Sequence, residues 1–206
     1  LVYCWFAVID EQSRIIGYGN RCRDQGDVLP RMCQGNLVGN GSAPLIRKAA
    51  IAEAGGYDPR LHDQAAQGCE DLKLYFAVAE RHRFAIAPFY LVGYRATRAS
   101  MSSDSQRMLR SYDLVMDPAR LRHPAFARQF RQGRIYLCEW LLGRVAASGT
   151  LDQFRTLFAA IWQQSPWAAA RSIPVNARRL VRRLIGRRPG RHFSAICGPV
   201  PVEIWP

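Results

Sequence analysis

Nothing in these 206 residues is long and apolar enough to suggest a membrane span, since no uncharged run approaches the roughly 18 residues a bilayer core demands. No basic start followed by an apolar middle marks a signal peptide. The six cysteines, Cys4, Cys22, Cys33, Cys69, Cys138 and Cys197, never form a C-x-x-C pair and lie far apart. That spacing argues against a zinc site or a small disulfide scaffold and leaves reduced thiols in a cytoplasmic setting as the expectation. Acids are scarce: 16 Asp and Glu stand against 29 Lys and Arg, a net charge of +13, and Arg supplies nearly all the cations. Such an excess favours an anionic partner, whether phosphate, nucleic acid or an acidic membrane face, without choosing among them. Internal repeats and low-complexity tracts are absent. An initiator Met is absent too: the chain opens at Leu1 inside the strand-like run LVYCWFAVID, so a fragment of a longer domain is expected.

What is present reads as globular. With 49% hydrophobic residues, the chain is long enough for one well-buried core plus a smaller appendage. Residues 1–10, rich in Val, Ile and aromatics, fit a buried strand, followed by the turn-like EQS and a second short apolar piece, RIIGYG. Gly19 to Asn40, with scattered Gly, Asn and Asp, reads as a long loop, and loops of that length in compact domains are often functional. In PLIRKAAIAEAGG, Pro44 suits a first helical turn and Gly55-Gly56 a stop. From Glu70, apolar Leu72, Tyr75, Phe76 and Ala79 recur at helical spacing, predicting an amphipathic helix to about His82. FAIAPFYLVGYR predicts a strand interrupted at Pro88 and resumed to about Tyr94. This alternation to about residue 95 implies an α/β layer. Beyond Ser102, a good N-cap, the pattern turns helical.

Near the end, NARRLVRRLIGRR places Ala177, Leu180, Val181, Leu184 and Ile185 on one stripe, with arginines taking the rest of the surface. The same pattern suits a helix on an anionic membrane surface, with Trp162 and Trp167 as interfacial anchors, or a helix packed on the domain with its arginines solvated.

Two adjacent acids, Glu70 and Asp71, open the predicted helix in GCEDLKLYFAVAERHRF. Neighbours on a helix point about 100° apart, so the two are not a facing carboxylate pair. One can face a site while the other caps or pairs. The helix end favours the ionised form, leaving an Asp there able to accept a proton. A plain acidic first turn has the same spelling.

Around these acids, the run from Asn36 to Ser102 resembles the C-terminal half of a family 2 glycosyltransferase of the GT-A fold. The resemblance is carried by four pieces in the family's order: G-N-G-S with the segment after it, A-G-G-Y-D at Ala54 to Asp58, the E-D pair, and Y-R followed by S-M-S. It implies a partial GT-A domain, Rossmann-like and built to bind a nucleotide-diphospho-sugar, over residues 1–102, with a helical, basic extension over 103–206. The implied activity is inverting transfer of a sugar from a nucleotide-sugar donor to an acceptor hydroxyl of a glycan or lipid-linked intermediate. Asp71 would be the general base and Glu70 would orient the acceptor or the Asp71 loop. Asn40, Gly41 and Ser42 match the loop lining the donor and acceptor cleft, although a simple turn reads the same. Arg95, Ser100 and Ser102 match the segment that closes on the diphosphate, with Arg95 equally suited to a surface ion pair.

Thr97 stands where many relatives carry a metal-binding His, so no metal ligand is assigned in this half. The Mg²⁺ or Mn²⁺ that the resemblance implies would be held mostly by a D-x-D motif in an N-terminal half preceding this stretch. Asp24 and Asp27 in CRDQGD come too late in the order to replace it. This fragment alone is therefore expected to be inactive. His62, His82 and His123 show no ligand spacing, and Cys69 reads as a packed thiol rather than a nucleophile. The alternative is a basic, non-catalytic module retaining a degenerate glycosyltransferase fold and binding a membrane surface or nucleic acid. Nucleic acid is disfavoured, because the basic tail lacks interleaved aromatics for base stacking. A cytoplasmic protein, peripheral at the membrane face, is the resulting expectation.

Overall fold

A computed structural model of the chain describes residues 1–64, 66–97, 104–148, 150–184 and 190–197, with only the backbone given for 146–148 and 179–184. It is a mixed α/β structure in which a four-stranded sheet is followed by a helical region. Strand β1 (Val2–Ile9) is central. On one side it pairs antiparallel with β2 (Ile15–Tyr18) alongside Ala7–Ile9 and with the two-residue β3 (Pro44–Leu45) alongside Val2–Tyr3. On the other it pairs in parallel with β4 (Ala85–Arg95) along its whole length. A parallel pair needs a crossover, and the intervening chain supplies one that carries four short helices. These are α1 (Leu29–Met32), α2 (Lys48–Glu53), α3 (Arg60–Asp63) and α4 (Glu70–Ala79).

Several sequence expectations change here. Pro44 does not open a helix: it pairs with Tyr3 as β3, and the helix starts three residues beyond Leu45 with Arg47 as its cap. The edge of β1 was free to accept it, and Pro tolerates an edge because it has no N–H to lose. As expected, Gly55 and Gly56 stop α2, both at positive φ, with the Gly56 N–H returning to the Ile51 carbonyl at 2.9 Å. Strand β4 is not interrupted at Pro88. The chain instead bulges, because the partners of Cys4, Trp5 and Phe6 on β4 are Ala87, Tyr90 and Val92. The bulge leaves the missing N–H of Pro88 outside the ladder.

The long segment from Gly19 to Asn40 is not a bare loop. It contains α1, and it buries Val28, Met32, Cys33, Leu37 and Val38. The Tyr3 hydroxyl and the Trp5 indole N–H strap its start to β1 by donating to the carbonyls of Asp24 and Cys22, at 2.7 and 2.9 Å. Gly26 and Phe84 then exchange both backbone hydrogen bonds.

After β4 come α5 (Ser105–Arg122), α6 (Ala127–Ser148), α7 (Leu151–Gln164) and α8 (Pro166–Leu184). The cap of α5 is Asp104, whose carboxylate accepts from the N–H groups of Gln106 and Arg107; Ser102, the expected cap, lies outside the described residues. A carboxylate is the stronger acceptor and also meets the positive helix end. One buried cluster runs from Tyr3 through Leu74 and Tyr75 of α4 to Leu141, Leu142 and Ile161 of the helical region. Residues 191–197 return to the β1–β2 hairpin, where Ser13 and Ile15 bond the backbone of Phe193 and Arg191. Phe193 and Ile196 then cover Ala7, Ile9 and Ile15.

The closest approach between α6 and the loop falls at Gly133. A Cβ there would lie 2.6 Å from the Tyr112 hydroxyl and 2.8 Å from the Gln34 carbonyl. Backbone cannot retreat as a flexible side-chain tip can. Gly133→Ala is therefore expected to destabilise the fold by about 1–3 kcal/mol, read as a lower midpoint in urea unfolding.

Candidate active site

The first turn of α4 is held by groups that sequence reading did not foresee. Gly68 turns the chain at φ +118°, and its N–H donates to Glu70 Oε2 at 2.8 Å. The Cys69 N–H donates to Ser111 Oγ of α5 at 3.2 Å, and Ser111 is fully buried. The second bond takes up an N–H that a helix start leaves without a partner, while the first closes the turn just before the cap. Glu70 is thus engaged in its own turn and does not reach the cavity beside it, while Asp71 does.

That cavity has a volume of about 400 Å³ and two unlike walls. One is polar: Asn20, Arg31, Gln34 and Asn36 from the 19–40 segment, with Asp71 from α4. The other comes from α5 and α6 and carries Met108, Tyr112, Tyr136, Leu137 and Trp140. Its size and mixture of apolar walls with a few polar groups are those of a small-molecule site.

Asn36 organises the polar wall. Its Oδ1 accepts from the N–H groups of Val38 and Gly39 at 3.1 and 2.8 Å, which fixes the side chain and aims its amide nitrogen at Asp71 Oδ2, 3.3 Å away. The other Asp71 oxygen accepts from the Leu72 N–H at 2.7 Å. Despite both bonds, the Asp71 carboxyl is pushed up to about 6 from its ordinary 3.8. Removal from water does most of this, and the neighbouring Glu70 charge adds to it. The helix end was expected to hold this acid firmly ionised, but at this depth desolvation outweighs it. An acid with this value is ionised at neutral pH and still basic enough to take up a proton.

Of the remaining predicted residues, Asn40, Gly41, Ser42 and Arg95 do not line the cavity. Asn40 is buried, with Oδ1 accepting from the Ser42 N–H at 2.9 Å and its carbonyl accepting from the Tyr75 hydroxyl at 3.2 Å. Gly41 and Ser42 are exposed, and none of the three lines the cavity, which their neighbour Gly39 reaches instead. Arg95 clips the β1–β2 turn, donating to the carbonyls of Asp10 and Glu11 and to Ser13 Oγ. Ser100, like Ser102, lies outside the described residues. Asp58 of the A-G-G-Y-D turn is held far below the carboxylate range by Arg60 and Lys73, tying that turn to α4. Cys69 is buried and its thiol is pushed up to about 12, which removes it as a nucleophile at neutral pH.

Sequence reasoning missed Asn36 and the aromatic wall. A signal for the wall was present, since Gly133, Tyr136, Leu137 and Trp140 recur at i, i+3, i+4 and i+7 on one face of α6. Among the described residues no group of three His, Cys, Asp or Glu side chains is placed to hold a metal ion. No family model matches this chain, and no curated protein or solved structure is detectably similar to it.

The raised Asp71 value has a stability consequence. Between about pH 4 and 6 the folded protein holds a proton that the unfolded chain has released, so this group's contribution falls as pH rises through that window. Above it, keeping Asp71 charged costs on the order of 3 kcal/mol. Asp71→Asn is expected to raise the thermal midpoint by several degrees at pH 8, with the gain shrinking towards pH 4, as followed by circular dichroism.

Proposed function

We propose that this chain forms the acceptor side of an inverting, nucleotide-sugar-dependent glycosyltransferase of the GT-A type, acting on a hydroxyl of a glycan or lipid-linked glycan. The observation that carries the reading is the Asp71 carboxylate, set into the wall of a cavity of substrate size, oriented by Asn36 and raised to about 6. An acceptor hydroxyl bonded to Asp71 would lose its proton to that carboxylate as its oxygen attacks the anomeric carbon. The bond from that carbon to the diphosphate oxygen would break in the same step, leaving a nucleoside diphosphate and an inverted glycoside.

The two walls suit such an acceptor. A sugar ring offers hydroxyls at its rim and C–H groups on its faces, matching the amides on one side and the aromatic rings on the other. The cavity offers a single carboxylate, so the described residues do not fit the Mg²⁺ or Mn²⁺ that the resemblance implies. No step is assigned to that ion.

One observation favours the alternative of a non-catalytic fold. Arg95, matched to the diphosphate-closing segment, is already engaged by three acceptors of the β1–β2 turn. The two readings part at Asp71. In the full-length protein, Asp71→Asn is expected to lower kcat for sugar transfer by about 10²–10⁴-fold while donor affinity is unchanged. The wild-type rate should fall on the acid side with an apparent pKa near 6. Transfer by the variant at the wild-type rate would remove the base assignment, and no transfer by the wild type with any nucleotide-sugar would favour the non-catalytic fold.

A further inference from the structure

The outward face of α8 is apolar, exposed and bordered by arginine. Ala168, Ala169, Ser172 and Asn176 are buried, which settles the face turned towards the rest of the protein. Small side chains there let the helix lie close to α6 and α7. Outside that face lie Trp167, 77% exposed, Ile173, 54% exposed, and Ala170, Pro174 and Ala177, also in solvent. These positions recur at spacings of three and four, so they form one stripe along the helix. Trp162, 53% exposed at the end of α7, lies across the tight turn at Ser165 from Trp167, so two indoles sit at the same end.

A packed helix of a globular domain normally turns such a stripe inward. Here the inward face is small or polar and the apolar face looks out. Charge identifies what it meets. Between Pro166 and Leu184 the sequence has no acid; Arg178 is exposed at the stripe's border, and Arg171, also exposed, is paired with Glu139 of α6. In sequence the stripe continues into Leu180, Val181 and Leu184, with Arg179, Arg182 and Arg183 between them. Among the described residues no helix is long and apolar enough to cross a membrane, so the arrangement suits a surface rather than a span.

We infer that α8 lies flat on an anionic lipid bilayer, its Trp167–Ala177 stripe among the headgroups and upper acyl chains and its arginines on lipid phosphates. Binding of this kind adds apolar burial to charge attraction, so neither component alone holds the protein. The inference is independent of sugar transfer. It accounts for only part of the +13 charge, because the Lys and Arg residues are spread along the whole chain.

Sedimentation of the full chain with phosphatidylcholine vesicles, with and without phosphatidylglycerol, tests it. The chain should pellet with the anionic vesicles at low salt, with a blue shift in tryptophan emission, and be released near 1 M salt, where the screening length is about 3 Å. Combining Trp167→Ser with Ile173→Ser should weaken partitioning at least tenfold, and Arg178→Gln should weaken it about fivefold. All three positions are exposed, so an unchanged thermal midpoint checks that the variants fold. Equal binding to neutral vesicles, no binding to either, or wild-type pelleting of the double variant would overturn the inference. So would a preference for a single-stranded oligonucleotide over the anionic vesicles.

Discussion

The seating of the first turn of α4 against α5 is the constraint on which the site depends. A helix start leaves N–H groups without partners, and here the N-cap N–H of Cys69 is met by Ser111, 42 residues away, while Glu70 folds back on the Gly68 N–H of the turn before it. With those groups satisfied, the turn can be buried, and Asp71 is buried with it. Had the same turn remained at the surface, its acid would be an ordinary solvated one. Desolvation changes a plain acidic helix start into a carboxyl poised near neutrality.

Burying that carboxylate works against stability, and the surroundings offset only part of the cost. Asn36 and the Leu72 N–H each supply one bond, and Glu70 adds a like charge next door. A group that weakens the fold while facing a cavity is characteristic of sites shaped for a task other than stability. By contrast, Asp58 is held by Arg60 and Lys73, which lower its pKa and fasten a turn. Both acids belong to the motif-bearing stretch, yet their surroundings move them in opposite directions.

Helix α6 touches both the cavity and α8 without merging them. One face supplies Gly133, Tyr136 and Trp140 to the cavity, while Glu139, on another, accepts from Arg171 of α8 at 3.3 Å. Gly133 lets α6 approach Gln34 and Tyr112 closely, and the small residues of α8 let the basic helix pack closely. The helical region is thus a wall of the cavity as well as the carrier of the exposed stripe.

Much of the fold was legible in the sequence because it rests on local pattern. A run of Val, Ile and aromatic residues marks β1, helical spacing marks α4, and paired glycines stop α2, each through interactions a few residues long. Pro44 was misread because its strand pairing depends on an edge of β1 forty residues earlier, and α1 was missed because its burial comes from distant partners. The E-D pair was legible as a candidate and the resemblance singled out Asp71, but residue spacing alone did not choose between the acids, since that follows from the side to which Glu70 folds. Asn36 reaches Asp71 across 35 positions, and Tyr136 and Trp140 face it from beyond residue 102. The sequence by itself determined the types of β1, α4 and the helical region, the basic excess and the presence of an acid at a helix start. Only the tertiary structure decided that this acid is desolvated, which amide orients it and which face of α8 meets solvent, because desolvation and exposure depend on residues distant in the chain.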